Sequence, residues 1–129
     1  MIGKYFDGLF QELFISRAVS SFNILRCEKG DDDGYIRLKC ILLNGDILEF
    51  AEYVQVRRNK INIETYNFHW QTAKGKLIKR WDNVGHHKEI DTCPDHLHIT
   101  EGQVISSSPM NLKKVITEIE KTLTIKDEM

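Results

Sequence analysis

Apolar residues Phe6, Leu9, Phe10, Leu13 and Phe14 recur at the three- and four-residue spacing of one helical face, which predicts an amphipathic helix over residues 3–15. From residue 18 the period shortens to two. "VSSFNILRCE" reads as a first strand, and the "KGDDDG" that follows has the Gly-Asp chemistry of a hairpin turn. Asp31, Asp32 and Asp33 lack the spaced ligands and distal glutamate of a calcium loop, so this run reads as a solvated turn.

Two hairpins follow. In "YIRLKCILLNGDILEFAEYVQV", Asn44-Gly45 between apolar runs predicts a two-residue turn. That register puts Ile36, Leu38, Cys40 and Leu42 on a face with Tyr53, Ala51, Glu49 and Ile47. It sets Arg37 opposite Glu52, and Lys39 opposite Phe50, on the other. In "INIETYNFHWQTAKGKLIKRWDN", a turn at Lys74-Gly75 pairs Phe68 with Trp81, Trp70 with Lys79 and Thr72 with Leu77 as an aromatic face. The opposite face pairs His69 with Arg80 and Asn67 with Asp82. A three-residue turn at 73–75 would disturb these pairs.

Residues 83–102 show no clear period and predict a long loop, the kind of segment that usually carries function. Within it "HLHI" alternates like a short strand, throwing His96 and His98 to one side and Leu97 and Ile99 to the other. At the end of the chain, Ser108-Pro109 predicts a helix start. Leu112, Val115, Ile116, Ile119 and Leu123 form a second apolar stripe. The sum is an α+β domain spanning residues 1–129. It comprises an N-terminal helix, an antiparallel meander sheet of four to six strands, and a C-terminal helix packed on the sheet.

Composition changes this picture little. The chain of 129 residues is 41% hydrophobic and 29% charged, as an average globular protein is. Its net charge of −1 argues against wrapping duplex DNA but leaves room for a local RNA or phosphate site. No stretch has the roughly 20 apolar residues of a membrane helix. Asp7 and Glu12 interrupt the N-terminal apolar pattern, against a signal peptide. Cys27, Cys40 and Cys93 are an odd set without paired spacing, which suits a cytoplasmic location.

Chemistry concentrates in "RWDNVGHHKEIDTCPDHLHI", residues 80–99, which holds four of the five histidines. One reading is zinc: His86, His87, His96, His98 and Cys93 are all candidate ligands. The spacing is not that of a closed structural site. Another is acid/base cleavage of RNA by its own 2′-hydroxyl. His86, His87, His96 and His98 would supply acid and base, Arg80 would clamp the phosphate, and Asp82 or Glu52 would orient an imidazole. No cofactor is needed for that chemistry. A third is a loop or protein-docking surface held by ordinary histidine hydrogen bonds.

The same stretch resembles the signature of TumE-type toxins of toxin–antitoxin pairs. That signature is an Arg-aromatic-Asp-Asn run, a His-His pair, a Thr-x-Pro step and a closing His-x-His. Here these fall on Arg80, Trp81, Asp82, Asn83, His86, His87, Thr92, Pro94, His96 and His98. "LNGDILEFAEYV" is similar to the family's Gly-x-x-Leu-x-Phe-x-Glu-Tyr strand, and the order of elements matches over nearly the whole chain. Val84-Gly85 departs from the family's Ala-Pro. The resemblance implies a cytoplasmic toxin neutralised by a cognate antitoxin. The helix and meander are also similar to RelE- and barnase-like ribonucleases, an analogy that favours RNA as substrate.

The resulting expectation is a metal-independent endoribonuclease with catalytic His86, His87, His96, His98, Arg80 and Asp82. Glu52, His69, Asn83 and Thr92 would support them. Any metal would sit on His86, His87, His96 and His98. The alternatives are a non-enzymatic binding module and a metal-dependent hydrolase. Two copies could also pair as a homodimer through an edge strand.

Overall fold

The structure is a computed structural model that describes residues 1–83, 95–99 and 103–128, with side chains up to 123. Helix α1 (Ile2–Ile15) is followed by strands β1 (Val19–Lys29), β2 (Asp33–Leu42), β3 (Ile47–Arg57), β4 (Lys60–Gln71) and β5 (Leu77–Asp82). Strands β6 (His96–Ile99) and β7 (Val104–Ser106) precede helix α2 (Leu112–Glu128). The strands form one seven-stranded antiparallel sheet in sequence order. The architecture is the expected α+β meander between two helices. The sheet has seven strands rather than four to six, because His96–Ile99 and Val104–Ser106 pair as a last short hairpin. Among the described residues no helix is long and apolar enough to cross a membrane.

The core lies between the helices and one face of the sheet. Ile2, Phe6, Leu9 and Leu13 of α1 and Leu112, Val115, Ile119 and Leu123 of α2 pack with Ile36, Leu38, Phe50, Phe68, Trp70 and Trp81. Phe14, expected on the apolar stripe, is 84% exposed. The buried face of α1 runs through residues 2, 6, 9 and 13, so Ile2 takes a place one turn earlier and Phe14 rotates past the contact. The start of α2 is also displaced from Ser108-Pro109. Asn111 Oδ1 accepts a hydrogen bond from the Lys114 N–H at 2.9 Å and caps the first turn there.

The β2–β3 hairpin turns through three residues, 43–45, with Gly45 at φ +90, rather than two. Asp46 is drawn inward. It receives the Trp70 Nε1 hydrogen bond at 3.1 Å, and Asn44 Oδ1 accepts from its N–H at 3.0 Å. The pairing therefore moves by one residue and exchanges the faces of β3. Ile36 stands opposite Glu52, Leu38 opposite Phe50 and Cys40 opposite Leu48, while Arg37 faces Ala51. This register sends Leu48 and Phe50 into the core and leaves Glu49 and Tyr53 outside it. Burial of apolar surface decides in its favour.

The β4–β5 hairpin also turns through three residues, 73–75, with Gly75 at φ +92. A bulge restores the expected pairs. Gln71, not Thr72, faces Leu77, and Ile78 is left without an opposite partner. Beyond it, Trp70 faces Lys79, His69 faces Arg80, Phe68 faces Trp81 and Asn67 faces Asp82.

Candidate active site

The sheet face turned away from the helices carries two polar rows. One runs Lys39, Glu49, His69, Arg80 and His98 across β2 to β6. The next runs Arg37, Ala51, Asn67, Asp82 and His96. Four residues singled out in the sequence, Arg80, Asp82, His96 and His98, thus come together from β5 and β6. The spacing of two within "RWD" and "HLH" places each pair on one face of its strand. Leu97 turns the other way and packs on the core.

Asp82 is the hub. It is 2% exposed, with His96 Nε2 2.5 Å from Oδ1 and His98 Nε2 3.2 Å from Oδ2. Arg80 Nε also lies 3.2 Å from Oδ2. Arg80 Nη2 approaches His98 Nδ1 at 3.3 Å and Nε2 at 3.0 Å. Since Nε2–H points to the carboxylate, the consistent tautomer has His98 Nδ1 accepting from the guanidinium. His96 is fully buried, whereas His98 is 8% exposed and the Arg80 side chain 33%. His69, next to Arg80 in the row, has Nε2 2.9 Å from Gln71 Oε1.

Asn83 serves as a backbone splint. Its Oδ1 accepts from the Tyr66 N–H at 2.8 Å and its Nδ2 donates to the Glu64 carbonyl at 3.0 Å, extending the β4–β5 pairing past Asp82. Tyr66 OH donates to Asp95 Oδ1 at 2.6 Å, just before β6. Burial and then this carboxylate raise the phenol above its usual range. Alternation along β4 places the Tyr66 ring but carries no hint of its partner in residue 95.

Glu52 does not join the site. The shifted β2–β3 register sends it to the helix face, 1% exposed, where the Tyr5 hydroxyl of α1 donates to Oε1. Oε2 is buried without a hydrogen-bond partner among the described residues. Burial pushes this carboxyl up to about 7 and, with Glu52 alongside, raises the Tyr5 phenol as well. His86, His87, Thr92 and Cys93 lie outside the described residues. Among the described residues, Asp82, His96 and His98 form a metal-ligand geometry, with ligand atoms within 4.8 Å of one another.

In front of Arg80 the open face sinks into a cleft of about 470 Å³, lined among others by Tyr35, Arg37, Tyr53, Asn67 and His69. Its floor is Ala51, the smallest side chain of its row. Glu49, brought to this face by the β2–β3 slip, pairs with Arg37 at 2.6 Å. Neither the cleft nor that ion pair was legible from the two-residue turn.

Comparison with curated proteins and with solved structures gives no match. A family model described as Toxin TumE matches residues 7–123, from the first helix to the last apolar residue of the C-terminal stripe. The match takes in the whole sheet and the Arg80, Asp82, His96 and His98 cluster. The chain therefore belongs to the TumE toxin family, as the toxin component of a toxin–antitoxin system with an antitoxin as its partner.

Proposed function

We propose that the toxin acts on RNA as a metal-independent endoribonuclease centred on Arg80. The observation that carries this reading is the row His69, Arg80, His98, a cation flanked in register by two imidazoles. Two strand spacings put the histidine Cα atoms roughly 10 Å apart, room for a phosphate between them. With Nε2–H directed to Gln71, His69 offers Nδ1 as the base that takes the 2′-hydroxyl proton. The 2′-oxygen attacks phosphorus, and His98, protonated at Nδ1 and held through Nε2 by Asp82, gives a proton to the departing 5′-oxygen. The products are a 2′,3′-cyclic phosphate and a 5′-hydroxyl.

Protonating His98 Nδ1 removes the acceptor for Arg80 Nη2. The guanidinium is then free to turn to the phosphate oxygens, where charge accumulates. Asp82 fixes the tautomer of His98, and His96, sealed in the interior, positions Asp82 from behind. His96 therefore acts as a positioning residue here, at one remove from substrate. The guanidinium, near both Asp82 and His98, already supplies the positive charge that a divalent ion would bring to that carboxylate.

A second reading, hydrolysis with a divalent metal, draws on Asp82, His96 and His98 as a two-histidine, one-carboxylate set. One experiment separates the two. Purified toxin is incubated with mixed RNA with and without EDTA, and the new ends are analysed. Cleavage that persists in EDTA and leaves cyclic phosphates is the expected result. Cleavage restored only by added zinc or manganese would transfer the cluster to metal chemistry, and none under either condition would sink both.

A further inference from the structure

We infer that the cleft over Ala51 is a nucleobase pocket, seating one unstacked base of single-stranded RNA beside the phosphate held at Arg80. The inference extends the ribonuclease reading by assigning the residues that choose the substrate. A volume of about 470 Å³ accommodates a nucleoside with space to spare. The depression exists because Ala51 stands between Arg37 and Asn67, so the row drops by several side-chain atoms at one position.

The walls have the chemistry of base recognition. Tyr53 lines the cleft, and its hydroxyl is fixed at both ends. It donates to Asp33 Oδ2 at 2.9 Å and accepts from Gln55 Nε2 at 3.0 Å. A ring held in this way is a ready stacking surface, since every base has an aromatic face to offer. Asn67, on the neighbouring strand, brings an amide donor and acceptor for a base edge. Arg37 is neutralised by Glu49, so this end of the cleft suits a neutral base and leaves the phosphate to Arg80. Asn67 faces Asp82, two residue pairs along from His69 and Arg80, and Ala51 on β3 lies two strands from Arg80 on β5, roughly 10 Å between base and phosphate.

The test uses fluorescein-labelled RNA pentamers with 2′-O-methyl riboses, which bind but cannot be cut, and a matching pentamer with one abasic position. Anisotropy titrations compare the wild-type protein with Ala51→Leu, which fills the floor, and with Tyr53→Leu and Asn67→Ala. Circular dichroism checks that each variant is folded. Intact RNA is expected to bind Ala51→Leu and Tyr53→Leu about tenfold more weakly than wild type. The abasic pentamer should lose a similar factor on wild type and lose nothing further on Ala51→Leu.

Equal binding of intact and abasic RNA by the wild type would overturn the pocket, as would undiminished binding by both Ala51→Leu and Tyr53→Leu. So would absence of RNA binding, or loss in Ala51→Leu of antitoxin binding alone, which would make the cleft a protein-docking site. Because the probe is uncleavable, binding is scored whether or not the toxin cuts. A protein that binds bases here and cleaves nothing sinks the ribonuclease reading and leaves the pocket standing.

Discussion

At the scale of single residues, Asp82 holds the largest share of the site's geometry, and its position was readable from the two-residue spacing of "RWD". What could not be read was which imidazoles it holds, since β6 reaches it across a long connection. Asp82→Asn keeps the shape but replaces an acceptor with an amide toward His98. RNA cleavage is expected to fall roughly 10²- to 10⁴-fold with the circular dichroism spectrum unchanged. His98→Gln should fall in the same range, while loss of the His69 base in His69→Gln should do so independently of Asp82. Arg58 supplies a separate prediction. With Asn59 it forms the β3–β4 turn at φ 53 and 60, a left-handed pair that asparagine tolerates better than arginine. Arg58→Asn should stabilise the fold by about 0.5–1 kcal/mol in urea denaturation.

At the scale of elements, the packing of α1 on β2 depends on one glycine and one carboxyl. A Cβ on Gly34 would stand 2.7 Å from Ile2 Cγ2 and 3.0 Å from Phe6 Cζ, so the helix seats only on a residue without a side chain. Gly34→Val should cost about 1–3 kcal/mol by forcing α1 outward, read as a lower urea midpoint. Glu52 makes the same contact sensitive to pH. Its carboxyl is raised in the folded protein from an ordinary 4.5 to about 7, chiefly by burial. A raised value means the folded state holds the proton more tightly. Its contribution is therefore complete below pH 4.5 and lost as pH climbs through 7. The loss is on the order of 3 kcal/mol at most. Glu52→Gln should flatten this slope between about pH 4.5 and 7.5 in denaturation curves, and leave the protein more stable above about pH 7.

At the scale of the whole molecule, the helices occupy one face of a seven-stranded sheet and the other carries the polar rows, so stability and the candidate chemistry separate by side. The alternation of Trp81 with Arg80 and Asp82, and of Leu97 with His96 and His98, is enough to make that separation legible along the chain. So are the two apolar helical stripes, and the pairing of His69 with Arg80. The β2–β3 register was not legible. Asn44-Gly45 is the signal of a two-residue turn, but Asp46 takes the indole hydrogen bond of Trp70 and lengthens the loop to three. A slip of one residue then carries Glu52 from the polar face to the core and brings Glu49 to the cleft. In β4–β5 the loop is equally long, yet the bulge at Ile78 cancels the slip. The sequence by itself determined the two helices, most of the strands, the faces of β5 and β6, and the family, because periodicity and local spacing act within a few residues. Only the tertiary structure decided the β2–β3 register, the burial of Glu52 and His96, and the meeting of Arg80, Asp82 and His98. Those depend on which distant side chains compete for the same interior, and a competition of that kind has no local signature.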